Sequence, residues 1–165
     1  MARTFEVAVL VGSLRQASIS RQIAHALVAS LPPSLHCRFV EIRDLPLYDE
    51  DLEADEPRPW RRFRDEIASA DAVLFVTPEY NRSVPGALKN ALDVGSRPGG
   101  KSVWSRRPAG IASVTPYQLG GFGANHALRQ ALVFLDVERR SAARRGRGAE
   151  HRGGPRAPDG VRGRV

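Results

Sequence analysis

With 165 residues, a formal net charge of +7 and a single cysteine, the chain has room for one domain with one core and no internal disulfide framework. No apolar run approaches the roughly 20 residues that cross a bilayer, and residues 1–15 lack an apolar signal segment with a cleavage site, so neither a membrane span nor secretion is expected. The compartment expected is the cytoplasm. The basicity is local: residues 1–137 hold 16 Lys and Arg against 15 Asp and Glu, whereas residues 138–165 hold nine Arg against Glu138, Glu150 and Asp159.

In chain order, Val7 to Val11 is apolar without polar alternation, which suits a strand buried on both faces in a parallel sheet. Gly12 then allows a sharp turn into Ser13-Leu14-Arg15-Gln16-Ala17-Ser18-Ile19-Ser20 and a helix start. Three hydroxyls, one guanidinium and the free N–H groups of a helix N-terminus suit a phosphate, since the dipole already favours an anion there. An ordinary helix cap with solvated serines reads the same residues equally well. Neither G-x-G-x-x-G nor G-x-x-x-x-G-K-[ST] occurs in the turn. A hydroxyl-rich loop with one glycine points to a single terminal monophosphate, as in a flavin mononucleotide.

Ile19, Ile23, Leu27 and Leu31 recur every four residues and predict a helix that stops before Pro32-Pro33. His25 lies off that stripe and receives no role. His36 to Arg43 predicts a second strand, in which Cys37 sits in an apolar run and is expected to be an inert buried thiol. Residues 44–57 carry seven carboxylates without His, Cys or a calcium-loop spacing, and are expected to be a solvated loop, not a metal site. Trp60, Phe63, Ile67 and Ala70 predict a second helix with Arg62 and Glu66 one turn apart on its wet face.

Ala72 to Val76 is the most apolar run and is expected at the sheet centre. It leads into Thr77-Pro78-Glu79-Tyr80-Asn81-Arg82-Ser83-Val84-Pro85, with Pro85 pre-setting a helix over Gly86 to Asp93. Residues 95–108 read as a Gly- and Pro-rich linker across the surface, Ala109 to Thr115 as strand four, and Ala124 to Leu135 as a helix. Right-handed crossovers bring the loops after strands one and three together at the carboxyl edge of the sheet. In the order 2-1-3-4-5 that edge is the switch point where a ligand binds.

Three stretches carry a resemblance. Gly12-Ser13-Leu14-Arg15-x-x-Ser18, Leu45-Pro46-Leu47-Tyr48-Asp49, and the run from Thr77 through Asn81, Ser83-Val84-Pro85-Gly86 and Leu88-Lys89-Asn90-Ala91-Leu92-Asp93 resemble the NADPH-dependent FMN reductase family. This family includes bacterial chromate and quinone reductases and related azoreductases. The resemblance covers about residues 5–137 and includes Leu128-Arg129-Gln130-x-Leu132-Val133-Phe134-Leu135.

It implies an α/β, three-layer, flavodoxin-like doubly wound parallel sheet of order 2-1-3-4-(5) over residues 1–137. It also implies FMN, with its phosphate at Ser13, Arg15, Ser18, Ile19 and Ser20 and its ring against Pro78, Glu79, Tyr80 and Asn81. The loop from Thr115 to Gly121 is implied as a further contributor. NADPH or NADH is the implied donor, and a quinone, flavin, azo compound or chromate the small-molecule acceptor. No side chain need act as acid or base, because the cofactor carries the chemistry. A homodimer or homotetramer is implied, with Leu45 to Asp49 near a partner's site. The alternatives are a flavodoxin-like electron carrier that does not oxidise NAD(P)H, and an inactive truncated relative.

Two departures stand out. Val94-Gly95 replaces a usual Trp after Asp93, and Ala124-Asn125-His126-Ala127 lacks a usual Arg; both are expected to loosen subunit packing. Residues 138–165, with nine Arg, six Gly and two Pro, show no apolar period. The fifth strand and last helix are therefore expected to be missing or replaced by a disordered tail. Since GC-rich codons yield Arg, Gly, Ala and Pro, that segment is read as a shifted reading frame. Arg and Gly can grip nucleic acid through its phosphates, but without interleaved aromatics to stack bases nucleic acid is not an expected partner.

Overall fold

A computed structural model describes residues 3–137 of the chain. The apolar runs become four strands, β1 (Phe5–Val11), β2 (Leu35–Phe39), β3 (Ala72–Pro78) and β4 (Ala109–Val114). Between and after them lie α1 (Ile19–Ser30), α2 (Arg58–Ala68), α3 (Gly86–Gly95) and α4 (Phe122–Phe134), with a 3-10 turn at Glu50–Glu53. All strand pairs are parallel and the sheet order is β2-β1-β3-β4, as expected. The readings for residues 138–165 lie outside the described residues.

Alternation along β1 divides the interior in two. Ala8 and Leu10 join Trp60, Phe63 and Ile67 of α2, Leu88, Ala91 and Leu92 of α3, and Leu128 and Leu132 of α4 in one core. Val9 and Val11 face the other way with Val76, against Ala24, Ile23, Leu27 and Val28 of α1. Of the predicted stripe, Trp60, Phe63 and Ile67 of α2 are fully buried and Ala70, just past its end, is buried too, while Arg62 pairs with Glu66 at 3.6 Å. β3, bonded to both β1 and β4, is interior as expected.

The second strand ends at Phe39, four residues short of the expected Arg43. The Glu41 carboxylate accepts from the N–H groups of Ile42 at 3.0 Å and Arg43 at 2.9 Å, an Asx-like local alternative that ends the ladder. Ile42 and Leu45 then turn inward to the core. Cys37 is half-buried, not buried; burial, with the Glu6 carboxylate adding to it, pushes its thiol up and keeps it protonated near neutral pH.

The linker over residues 95–108 is not confined to the surface. Trp104 is fully buried, its indole N–H donates to the Leu92 carbonyl at 2.9 Å, and its ring meets Phe63 and Phe75 with centroids 6.0 and 5.9 Å away. The ring lies so close over Gly95 that a Cβ there would come within 2.6 Å of it. Most of the acidic stretch is exposed, but Glu56 is half-buried and pairs with Arg61 and Arg64, and Glu50 and Glu53 both pair with Arg97 at 3.2 Å. Among the described residues no helix is long and apolar enough to cross a membrane.

Candidate cofactor site

β1 and β3 are neighbours, so the loops that leave their carboxyl ends share one edge. They touch at Gly12, whose N–H donates to the Val76 carbonyl at 2.9 Å. A Cβ on Gly12 would lie 2.8 Å from Thr77 Oγ1 and 3.2 Å from Leu88, so only glycine lets the first loop pass over β3.

In the first loop, Ser18 caps α1 by accepting from the Arg21 N–H at 3.1 Å, and Ser13, Ser18 and Ser20 are all buried. The N–H groups of Ile19 and Ser20 have no acceptor among the described residues. Arg15 has no ion-pair partner among them. The loop is held from outside its own sequence: Arg43 Nη2 donates to the Leu14 carbonyl.

In the second loop, Tyr80 and Ser83 exchange both backbone hydrogen bonds at 2.9 Å around Asn81 (φ 50°) and Arg82 (φ 63°). Two positive φ values in succession make a type I′ turn. Tyr80 N–H is thus committed, while the N–H groups of Glu79 and Asn81 have no acceptor among the described residues. Glu79 turns its carboxylate away: Oε2 accepts from Gly123 N–H at 2.7 Å and Ala124 N–H at 3.2 Å, and Oε1 meets Arg82 at 3.1 Å.

The two loops and the one after β4 enclose a cleft of about 200 Å³. Of the residues expected from the sequence, Ser13, Arg15, Ser18, Ile19, Ser20, Pro78, Glu79, Tyr80 and Thr115 line it. Asn81 lines an adjoining cavity of about 410 Å³ that shares Glu79, Thr115 and Tyr117 with the first. Gly121 lines neither; it starts α4 in a left-handed conformation (φ 74°), where a Cβ would approach Ser113 Cβ to 2.9 Å. Pro116 and Tyr117, from the loop expected to contribute, complete the wall together with Val114, which the sequence does not single out. For Val114 the signal available was its place at the carboxyl end of β4. The donors cluster at the α1 end and the prolines and tyrosines at the other, so the cleft fits a ligand with an anionic foot and a flat apolar head.

Gly123 is the contact between the second loop and α4, because a Cβ there would stand 2.6 Å from the Arg82 carbonyl oxygen. Gly123→Ala is expected to destabilise by about 1–3 kcal/mol through forced backbone displacement. In a free helix the same change would gain about 1 kcal/mol. A thermal unfolding midpoint above wild type would show that this contact gives way freely.

A family model described as NADPH-dependent FMN reductase matches residues 5–140. A quinone reductase of Pseudomonas putida is 62% identical over 138 residues, 83% of this chain and 74% of that one. A 2-hydroxy-1,4-benzoquinone reductase of a Burkholderia species is 47% identical over 132 residues, 80% of this chain and 72% of that one. Among solved structures, the flavoenzyme NAD(P)H:(acceptor) oxidoreductase of Paracoccus denitrificans superposes with a TM-score of 0.81 at 38% identity, covering 85% of this chain and 77% of its own.

Proposed function

Since this chain belongs to the NADPH-dependent FMN reductase family, we propose that its cleft holds FMN and that it passes electrons from NAD(P)H to a small acceptor, a quinone first among them. The observation that carries this reading is the meeting, in one cleft, of buried hydroxyls and unpaired helix N–H groups with a proline and tyrosine wall. The quinone preference draws on relatives at 62% and 47% identity whose names specify quinones.

Each residue has a place in that reading. Ser13, Ser18 and Ser20 donate hydroxyls to the phosphate, Ile19 and Ser20 donate backbone N–H groups, and Arg15 adds a full positive charge. The N–H groups of Glu79 and Asn81 suit the polar edge of the ring system, and Pro78, Tyr80, Pro116 and Tyr117 exclude water from its faces. FMN supplies the redox chemistry when bound. The one carboxylate beside the cleft among the described residues, Glu79, is occupied by the backbone of α4, which agrees with a site that needs no side-chain acid or base.

Purified protein incubated with FMN and desalted is expected to keep a flavin band, which anaerobic NADPH bleaches. A folded but colourless chain overturns the reading, and a bound flavin that NADPH leaves unchanged assigns the chain to electron carriers instead. Arg15→Ala is expected to raise the FMN Kd about 10- to 100-fold, from ~1.5–3 kcal/mol for a charged hydrogen bond, with unchanged far-UV circular dichroism. The reading extends to a homodimer or homotetramer, for which Leu47, 78% exposed on the surface, offers a knob. Its place of action would be the cytoplasm, where NAD(P)H is available.

A further inference from the structure

We infer that Glu79 is a positioning residue, which sets the distance between the second and third loops of the site by fastening the β3 loop to the first turn of α4. The inference rests on the FMN reading and deepens it.

α4 begins without a cap of its own. Its N-cap is Gly121, which has no side chain to offer, and no acidic residue stands in its first turn. The orphan N–H groups of Gly123 and Ala124 are instead taken by Glu79 Oε2 at 2.7 and 3.2 Å, from 44 and 45 residues earlier in the chain. A carboxylate on two N–H groups at a positive helix end makes short, charge-assisted bonds. Its side chain is only 12% exposed, so water competes weakly for it. On its other oxygen Glu79 holds Arg82 at 3.1 Å, inside the turn whose carbonyl packs on Gly123.

The consequence is geometric. The residues just before α4, from Thr115 to Gly121, contain the third wall of the cleft, and those beside Glu79, Pro78 and Tyr80, form the second. One carboxylate therefore ties both walls, and it does so without pointing at the ligand. The backbone N–H of Glu79 has no acceptor among the described residues, while its side chain is bound to α4 and Arg82.

The test compares Glu79→Ala, Glu79→Gln and Glu79→Asp with wild type for FMN Kd, for the visible band shape of bound flavin, and for kcat and KM with NADPH and a benzoquinone. A misplacement on the order of 1 Å costs up to about 100-fold. Glu79→Ala is accordingly expected to raise the FMN Kd at least about tenfold, to alter the flavin band and to lower kcat, with secondary structure retained. Glu79→Gln keeps an acceptor oxygen at the same reach and is expected to restore binding to within about threefold, since a neutral cap still satisfies the N–H groups. Glu79→Asp keeps the charge but falls short by a methylene; it is expected to behave like Glu79→Ala, and takes its place should that variant not fold. Equal Kd, band shape and kcat in folded Glu79→Ala or Glu79→Asp and in wild type overturn the inference alone. A wild type that binds no FMN overturns the reading beneath it, and the inference with it.

Discussion

Trp104→Ala is expected to remove about 3–5 kcal/mol of stability, the usual cost of truncating a buried Trp, from a domain total of about 5–15 kcal/mol. The ring is fully buried in the larger core, where it fills the space between Phe63 and Phe75 and covers Gly95 at the end of α3. Removing it leaves a cavity in that core and takes from the Leu92 carbonyl one of its two donors, the indole N–H at 2.9 Å, while the Ser96 N–H at 3.1 Å stays. Trp104→Phe keeps most of the ring but not the donor, and is expected to lose less than half as much. Urea unfolding of both variants separates volume from hydrogen bond, and a Trp104→Ala midpoint equal to wild type would remove the residue from the core.

Asn90→Ala is the second large effect. Asn90 is buried on α3, and one side chain serves three backbone groups of the 45–48 segment: its Oδ1 accepts from Tyr48 N–H at 2.8 Å, and its Nδ2 donates to the carbonyls of Pro46 at 3.0 Å and Leu45 at 3.3 Å. Truncation leaves Tyr48 N–H and the Leu45 carbonyl without a partner, whereas the Pro46 carbonyl keeps the Trp60 indole N–H at 3.0 Å; at about 1–3 kcal/mol for each buried group left unpaired, the expected cost is roughly 2–5 kcal/mol. Asn90→Asp keeps the acceptor for Tyr48 but sets a carboxylate against two carbonyl oxygens, and is expected to be no better than alanine at neutral pH. Protonating that aspartate restores a donor, so its deficit is expected to shrink as the pH falls through the carboxylate range. A deficit that stays flat with pH would show that the two carbonyls are served by water.

The same segment is braced a second time. Tyr48 stacks on Trp60 with centroids 5.5 Å apart and donates its hydroxyl to Glu53 at 2.7 Å, while Arg97 donates to the phenol oxygen at 2.8 Å. Partial burial, and then the hydrogen bond to Glu53, push the phenol up, so it remains a donor throughout the physiological range. Leu47 is held exposed between these anchors.

Local features were legible from the residues alone. Apolar runs mark the four described strands, spacings of three and four mark α1 and α2, Pro85 marks the start of α3, and the crossover rule puts the loops after β1 and β3 side by side. What escaped was every partner far along the chain. Nothing near Leu14 announces Arg43, nothing near Glu79 announces the bare start of α4, and a Gly- and Pro-rich composition concealed the Trp that locks α3. Periodicity reports which face of an element is dry, but not which remote group will satisfy an amide or fill a gap. For the same reason the second strand reads longer than it is: its apolar pattern continues past Phe39, where the Glu41 side chain folds back onto two N–H groups instead.

The all-parallel sheet also dictates a timetable. Val7 pairs with Ala72, and the neighbouring Glu6 N–H bonds an Asp71 carboxylate 65 residues on, so the central seam closes only after a long loop has been gathered. No hairpin exists among these strands to seed the sheet, and non-local pairing of this kind slows folding. On a ribosome β1 emerges with neither neighbour yet made, and the crest that carries Gly12 and Ser13 waits for β3 before it has a floor.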